Sequence, residues 1–241
     1  AGLSAAMAAI GADAARAEET LETVEIVSQR QPFRGDIPLQ ELPQSVQVLT
    51  AEVLETVGAT KLDNVLDLAS GVARQNTFGG LWDSFAIRGF AGDENTPSGY
   101  LINGFNAGRG FSGRRDASNI ASVEVLKGPG SALYGRAEPG GTINIVTKKP
   151  SFEREGSIEL TGGSFGTKRL AADYTGPLSG NVAFRINGAY EDNDSFRDYF
   201  TSKRATITPS IIARLGSSTT LSYELEWTQQ EAPFERGVVA T

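Results

Sequence analysis

The stretch from Ile120 to Pro150, IASVEVLKGPGSALYGRAEPGGTINIVTKKP, constrains the fold of this chain more than any other. Val123 and Val125 alternate with Glu124 and Leu126 until Gly128-Pro129-Gly130 breaks the run. Ile143 and Val146 sit in a second β-rich run, Thr142 to Thr147, closed by Lys148-Lys149-Pro150. Apolar residues at period two, bounded by Gly and Pro, predict two strands joined by a tight loop. Such a loop invites a phosphate-cradle reading, but that pattern ends in Gly-Lys-Ser/Thr, and here Lys127 precedes the glycines. The glycines read instead as sites of positive φ or close strand packing. With 28 glycines in 241 residues, above the usual share of roughly 7%, many turns and close backbone approaches are expected.

Upstream, Gln44 to Leu49 alternates Val46 and Val48 with polar neighbours and predicts a strand. Thr50 is placed to cap a short helix, Ala51 to Val57, stopped by Gly58. Thr60 and Asp63 resemble a capping box opening a second helix. Its stripe of Leu62, Val65, Leu66 and Ala69 has helical spacing and reads as core; Gly71 ends it. Phe85 to Phe90, FAIRGF, predicts a strand ending in a turn. Tyr100 to Phe105, YLINGF, predicts another, with Asn103-Gly104 as its turn.

From Ser151 the texture changes to long alternating strands. Ser157 to Gly163 and Lys168 to Gly176 flank a hairpin-like turn, Ser164 to Thr167. Val182, Phe184, Ile186 and Tyr190 point one way; Arg185, Asn187 and Glu191 point the other. Arg204 to Leu215 is a less regular candidate, with Ile207 and Ile211 on one face. Leu221, Tyr223, Leu225 and Trp227 alternate with Ser222, Glu224, Glu226 and Thr228. One apolar and one polar face suits a transmembrane β-strand and equally a soluble sandwich with one face buried; periodicity does not separate them. Tyr190, Tyr223 and Trp227 suit a lipid-interface girdle or a core. No apolar run reaches the roughly 18 residues of a membrane-crossing helix, so a membrane protein built from this chain would be a β-barrel.

The formal net charge of −7 argues against a nucleic-acid binder, which needs a basic face. With no Cys and no His, the usual zinc sites and the Ser-His-Asp and Cys-His nucleophile pairs are excluded within this chain. Ala1 to Ala17 is rich in small and apolar residues, and Ala15-Arg16-Ala17 resembles a small-x-small cleavage site, so the segment reads as the rear of a secretory signal peptide. Against that stand a missing basic n-region and Asp13; the alternative is a plain Ala-rich leader. Glu18 to Gln31 follows, with the β-prone Glu22, Thr23, Val24, Glu25, Ile26 and Val27, and then a linker, Pro32 to Pro43. An unpartnered extended segment can add as a strand to another protein's sheet edge, or serve as an ordinary edge strand.

The succession of a Lys-Gly-Pro turn at Lys127, Leu133-Tyr134-Gly135, Pro139-Gly140-Gly141 and Ile143-Asn144-Ile145-Val146-Thr147 resembles the end of the plug domain of TonB-dependent outer-membrane receptors, and more narrowly of ferric-siderophore receptors. FAIRGF and YLINGF resemble plug motifs of the same receptors, so the resemblance runs continuously from about Gln44 to Pro150. It implies an α+β plug domain, a small mixed sheet with short helices, over residues 32–150. The first antiparallel strands of a transmembrane β-barrel then occupy 151–241. Residues 1–17 become a signal-peptide remnant, and 18–31 the segment holding a TonB box at Glu22, Thr23, Val24, Glu25, Ile26 and Val27. About five strands fit after Ser151, whereas plugged transporters use about 22, so only the start of the barrel is expected. No signalling domain fits between leader and plug.

The resemblance also implies a role: energy-coupled import of a ferric siderophore across the outer membrane, with no covalent chemistry and no cofactor. The partners it implies are the cargo, outer-membrane lipid, and TonB of the inner-membrane TonB-ExbB-ExbD complex. Cobalamin, haem or a glycan are the rival cargoes, and a soluble β-rich binding module is the rival class. Ligand contacts fall on two outward loops. The first offers Gln75, Phe78 and Trp82; the second offers Phe105, Asn106, Arg109, Phe111, Arg114 and Arg115. Rings stack on aryl siderophore groups and guanidinium groups donate to anionic ones. Arg88 matches a ligand-contacting Arg of one family branch, or else pairs with barrel carboxylates. Lys127 and Arg136 match basic plug residues that pair with acidic barrel residues.

Overall fold

The computed structural model describes residues 45–91, 98–107, 113–128, 139–196, 199–216 and 218–234. Residues 45–147 form a mixed-sheet domain. In chain order it comprises β1 (Ser45–Thr50), α1 (Ala51–Thr56), α2 (Leu62–Leu66), β2 (Val72–Arg74), β3 (Phe85–Ile87), β4 (Leu101–Ile102), β5 (Phe105–Asn106), β6 (Ile120–Lys127) and β7 (Gly141–Thr147). The main sheet runs β1-β6-β7-β4-β5, antiparallel except for β4 against β7; β2 and β3 pair separately. Val123 faces Ile145 and Val125 faces Ile143 across the central pair; Leu62, Val65 and Leu66 of α2, and Ala69 in the turn after its early end at Leu66, pack on them with Leu49 and Leu54. The predicted strand Tyr100 to Phe105 resolves into two short strands around Asn103-Gly104, both residues at positive φ.

Three local expectations change. Val46 and Val48 were the predicted apolar face of β1, yet Leu49 is the residue that enters the core, beside Gln47 on the same side; Val46 and Val48 lie half-buried opposite Leu126 and Glu124. Thr50 holds the N-cap position of α1, but its hydroxyl makes no cap bond. For α2 the N-cap is Lys61 rather than Thr60, again without a side-chain cap. The reason is tertiary. Thr60 gives its carbonyl to the amide of Ala117 (3.1 Å), Lys61 bridges Asp116, and the Asp63 carboxylate turns to arginines.

Residues 155–231 form a wall of long antiparallel strands: β8 (Glu155–Gly162), β9 (Lys168–Ser179), β10 (Val182–Asn193), β11 (Ser202–Arg214), β12 (Thr220–Glu224) and β13 (Trp227–Glu231). They follow one another as a meander, and β12 and β13 both pair β11 as two parts of one strand. The break falls opposite Pro209. The Leu225 amide donates to the Pro209 carbonyl (3.0 Å), but Pro209 has no N–H to return the bond. The hairpin turn appears where predicted: Gly163 and Thr167 close it, with Phe165 and Gly166 at φ 56° and 64°.

The wall is inside out relative to a soluble sheet. Ile158 (73% exposed), Leu160, Leu170, Tyr174, Ile186, Tyr190, Leu221, Tyr223 and Trp227 face outward, while Thr175, Asn187, Glu191, Arg169 and Arg204 are buried against the mixed-sheet domain. Among the described residues no helix is long and apolar enough to cross a membrane.

Candidate functional site

Two regions of the mixed-sheet domain meet the wall. The first is a buried charge cluster that joins α2 and the segment before β6 to strands β9, β10 and β11. Arg169 grips the Asp116 carboxylate with both terminal nitrogens (2.8 and 3.0 Å). Arg204 Nη2 reaches the same carboxylate at 2.8 Å and Glu191 at 3.3 Å. Lys61 Nζ completes the cluster on Glu191 at 2.8 Å. Burial alone would push the Asp116 carboxyl up, but the Arg169 bonds and the Arg204 charge outweigh it and hold the group below the usual carboxylate range. For Lys61 burial dominates and pulls the ammonium down, with Glu191 opposing.

The cluster continues along the interface. Arg115, almost fully buried, pairs with Glu226 (2.6 Å). Asn187 donates to the Ser118 carbonyl (2.9 Å), and Lys149 meets Glu224 (2.9 Å). Asp173 takes both Arg185 (2.7 Å) and Lys148 (3.1 Å). Acids and bases are thus shared across the seam. Desolvated pairs of this kind specify docking geometry more than they add stability.

The second region is the end of the domain that carries the first predicted loop and the start of Gly113–Arg115. Phe78, buried and at φ 46°, stacks on Phe234, just past β13 (5.6 Å, 3° between planes), and touches Trp82 (4.8 Å). Trp82 bridges Gly113, which brings the two predicted loops side by side. The Gln230 carboxamide holds both: Nε2 donates to the Gly80 carbonyl (2.6 Å), and Oε1 accepts from the Arg114 amide (3.0 Å). The Arg114 guanidinium pairs with Asp63, and burial brings it down to about 10, still charged at neutral pH. Gln75 donates its amide to the Ser84 carbonyl (2.9 Å) and sits at the foot of this loop.

The structure therefore gathers Phe78, Trp82 and Arg114 at one end, though in contact with protein rather than solvent. Phe105 (67% exposed) and Asn106 stay open on β5. Arg88 lies elsewhere. It is exposed, adopts φ 52°, donates its amide to the Gly71 carbonyl (2.7 Å) and rests over Gly71 and Gly128. Lys127 bonds within its own domain, to Gln47 Oε1 (3.2 Å) and the Ser70 hydroxyl. Arg109, Phe111, Arg136 and the segment Glu22 to Val27 lie outside the described residues. Sequence reasoning missed Lys61, Asp116, Arg169 and Arg204. For the wall residues the available signal was the polar face of the long strands, where Arg169, Asp173 and Thr175 share one side of β9.

No metal-holding cluster of His, Cys, Asp or Glu occurs among the described residues. A concavity of about 1060 Å³ lies on the outward wall face between Ile158, Tyr174, Ile186, Tyr190 and Ile207. Its lining is mainly apolar, and its Asp173 and Asn187 side chains are engaged on the other face, with Arg185 and the Ser118 carbonyl.

Known proteins resemble this chain in sequence and fold. A family model described as TonB-dependent Receptor Plug Domain matches residues 38–142. The metal-pseudopaline receptor CntO of Pseudomonas aeruginosa is 38% identical over 233 residues, covering 96% of this chain and 32% of the relative. The ferrioxamine receptor of Yersinia enterocolitica is 32% identical over 191 residues, covering 78% and 27%. The FpvAI receptor in its complex with pyocin S2 superimposes with a TM-score of 0.74 at 27% identity, over 82% of this chain and 26% of that one. The ferric-catecholate import receptor Fiu of E. coli, in its open form, gives 0.73 at 26% identity, over 85% and 30%. The chain spans about a third of the length of the curated relatives it matches most extensively. The mixed-sheet domain is a plug and the wall is the first part of its barrel: the chain belongs to the TonB-dependent receptors.

Proposed function

We propose that this protein imports ferric siderophores across the outer membrane, energised through TonB of the TonB-ExbB-ExbD complex. One observation carries the reading: a small α+β domain is docked by buried ion pairs on the polar face of a wall whose other face is apolar and exposed. A wall of that polarity suits a bilayer, and a domain seated on its polar side blocks the lumen until it is moved. Relatives named as receptors for ferrioxamine and ferripyoverdine supply the cargo class. The protein is a transporter rather than an enzyme, with an Fe(III)-siderophore complex as its cargo and no cofactor of its own. Ligand binds at the loops bearing Gln75, Phe78, Trp82, Phe105, Asn106, Arg109, Phe111 and Arg114. Arg88 is held as a further ligand contact, and Lys127 and Arg136 as contacts to the rest of the barrel. The segment Glu22 to Val27 pairs as an added strand with TonB.

A second reading of the cargo rests on CntO: a metal–pseudopaline complex in place of a ferric siderophore. Uptake of radiolabelled metal by the full-length protein in a receptor-deficient Gram-negative host separates the two. A panel of ferric siderophores and a metal–pseudopaline complex is compared with a Val24→Pro variant. Uptake of a ferric siderophore that Val24→Pro abolishes, with surface binding retained, is the expected result. Uptake confined to the pseudopaline complex moves the cargo to the second reading, and uptake of neither removes the import assignment.

A further inference from the structure

Among the described residues β1 is an edge strand and pairs β6 alone, from Ser45 opposite Lys127 to Thr50 opposite Ser122. A load on the chain before Ser45 therefore meets this ladder at its Ser45–Lys127 end. Nothing about backbone pairing there is unusual, but one side chain is. Gln47 sits on the core side of β1, opposite Val125, at the margin of the apolar cluster. Its Nε2 donates to the Leu68 carbonyl (3.2 Å). Its Oε1 accepts from the Ser70 amide (3.0 Å), the Ser70 hydroxyl (3.2 Å) and Lys127 Nζ (3.2 Å). Lys127 Nζ also donates to the Ser70 hydroxyl. One carboxamide thus ties β1 to the turn after α2 and to the last residue of β6.

The other end of the plug is fixed differently. Lys148 and Lys149 are paired to Asp173 and Glu224 of the wall, Arg185 Nη1 donates to the Lys149 carbonyl (3.0 Å), and the Ser151 amide donates to Thr175 Oγ1 (2.8 Å). The charged rivets lie on the wall side, whereas β1 is retained by its ladder, by Leu49 in the core and by Gln47.

We propose that Gln47 is a positioning residue, a clasp that holds β1 on β6 and sets the load at which a pull on the N-terminal segment begins to open the plug. The source of the pull rests on the import reading above; the clasp itself rests on the bonds. Glutamine suits the task because the site needs a donor for Leu68 and an acceptor for Ser70 and Lys127 on one side chain. Glutamate keeps the acceptor and loses the donor; leucine keeps the bulk and loses both.

Hydrogen exchange on the full-length protein in detergent micelles tests the clasp, comparing wild type with Gln47→Leu and Gln47→Glu. Amides of the β1–β6 ladder near Gln47 are expected to exchange about tenfold faster in Gln47→Leu and less so in Gln47→Glu, with β7 and β10 unchanged. Unaltered exchange in β1 overturns the proposal. So does acceleration spread equally over β7 and β10, because the side chain would then support the whole domain. Pulling single molecules by an N-terminal handle gives the second readout: the first rupture falls in Gln47→Leu and later ruptures stay. Failure of wild-type uptake would strike the import reading and leave both clasp measurements standing.

Discussion

Asp116 carries the docking of the plug because it is the acid on which two wall arginines converge. Arg169 and Arg204 are both nearly fully buried, and each loses a partner if the carboxylate goes. Breaking one member of a buried pair costs about 3–5 kcal/mol, since the survivors remain charged and desolvated. Asp116→Asn in the full-length protein should therefore lower the urea midpoint of plug unfolding, while the barrel transition stays. Acid gives the same information with a definite sign. The Asp116 pKa in the folded state lies below the ordinary 3.8, so its ionised form stabilises docking above that value. The contribution is lost as pH falls through the depressed folded-state pKa. Wild-type plug docking should weaken steeply on acidification below pH 3.8, and Asp116→Asn should flatten that part of the profile. An unchanged acid profile in the variant would mean that other carboxylates govern the docking.

At the scale of elements, the Pro139-Gly140-Gly141 motif acquires a reason that no periodicity supplies. The start of β7 passes directly under the Ile87–Phe90 turn. A Cβ on Gly140 would lie 2.0 Å from the Ile87 carbonyl oxygen, and one on Gly141 would lie 2.3 Å from that of Leu126. Both neighbours are backbone, so neither can swing aside. Gly140→Ala should cost the upper end of the about 1–3 kcal/mol typical of overpacking, seen as faster trypsin cleavage within the plug. Gly99→Ala, whose Cβ enters open space, should change little. Equal behaviour of the two variants would remove the close-approach explanation. The same contact shows why FAIRGF and the glycine motif occur together: the turn of one is the ceiling of the other. Pro209 is a second case. It lies within β11, but its effect falls on the facing strand, which parts at Leu225-Glu226.

For the whole molecule, polarity decides between the two architectures that alternation left open. Ile186 is exposed and Asn187, the next residue, is buried at 1% exposure. In a soluble sandwich that order would be reversed. Ile186→Lys should cost about 2–4 kcal/mol near the bilayer midplane and reduce assembly of the full-length protein into phospholipid vesicles. A soluble sheet would accept lysine at so exposed a position within about 0.5 kcal/mol, so unimpaired assembly would contradict the barrel. By itself the sequence determined the alternating strands of the wall except the break at Leu225-Glu226, a short helix opening at Leu62 that the structure ends at Leu66 rather than near Gly71, the turn at Phe165-Gly166 and, through its glycine motifs, the plug. These depend on neighbours along the chain, where side-chain period and turn chemistry act. Only the tertiary structure decided which face of each strand is inside, that Thr60 yields the cap of α2 to Lys61, that Arg114 turns to Asp63, and that Asp116, Arg169, Glu191 and Arg204 form one cluster. Those residues are up to 88 positions apart, and their pairing energy exists only once packing has excluded water between them.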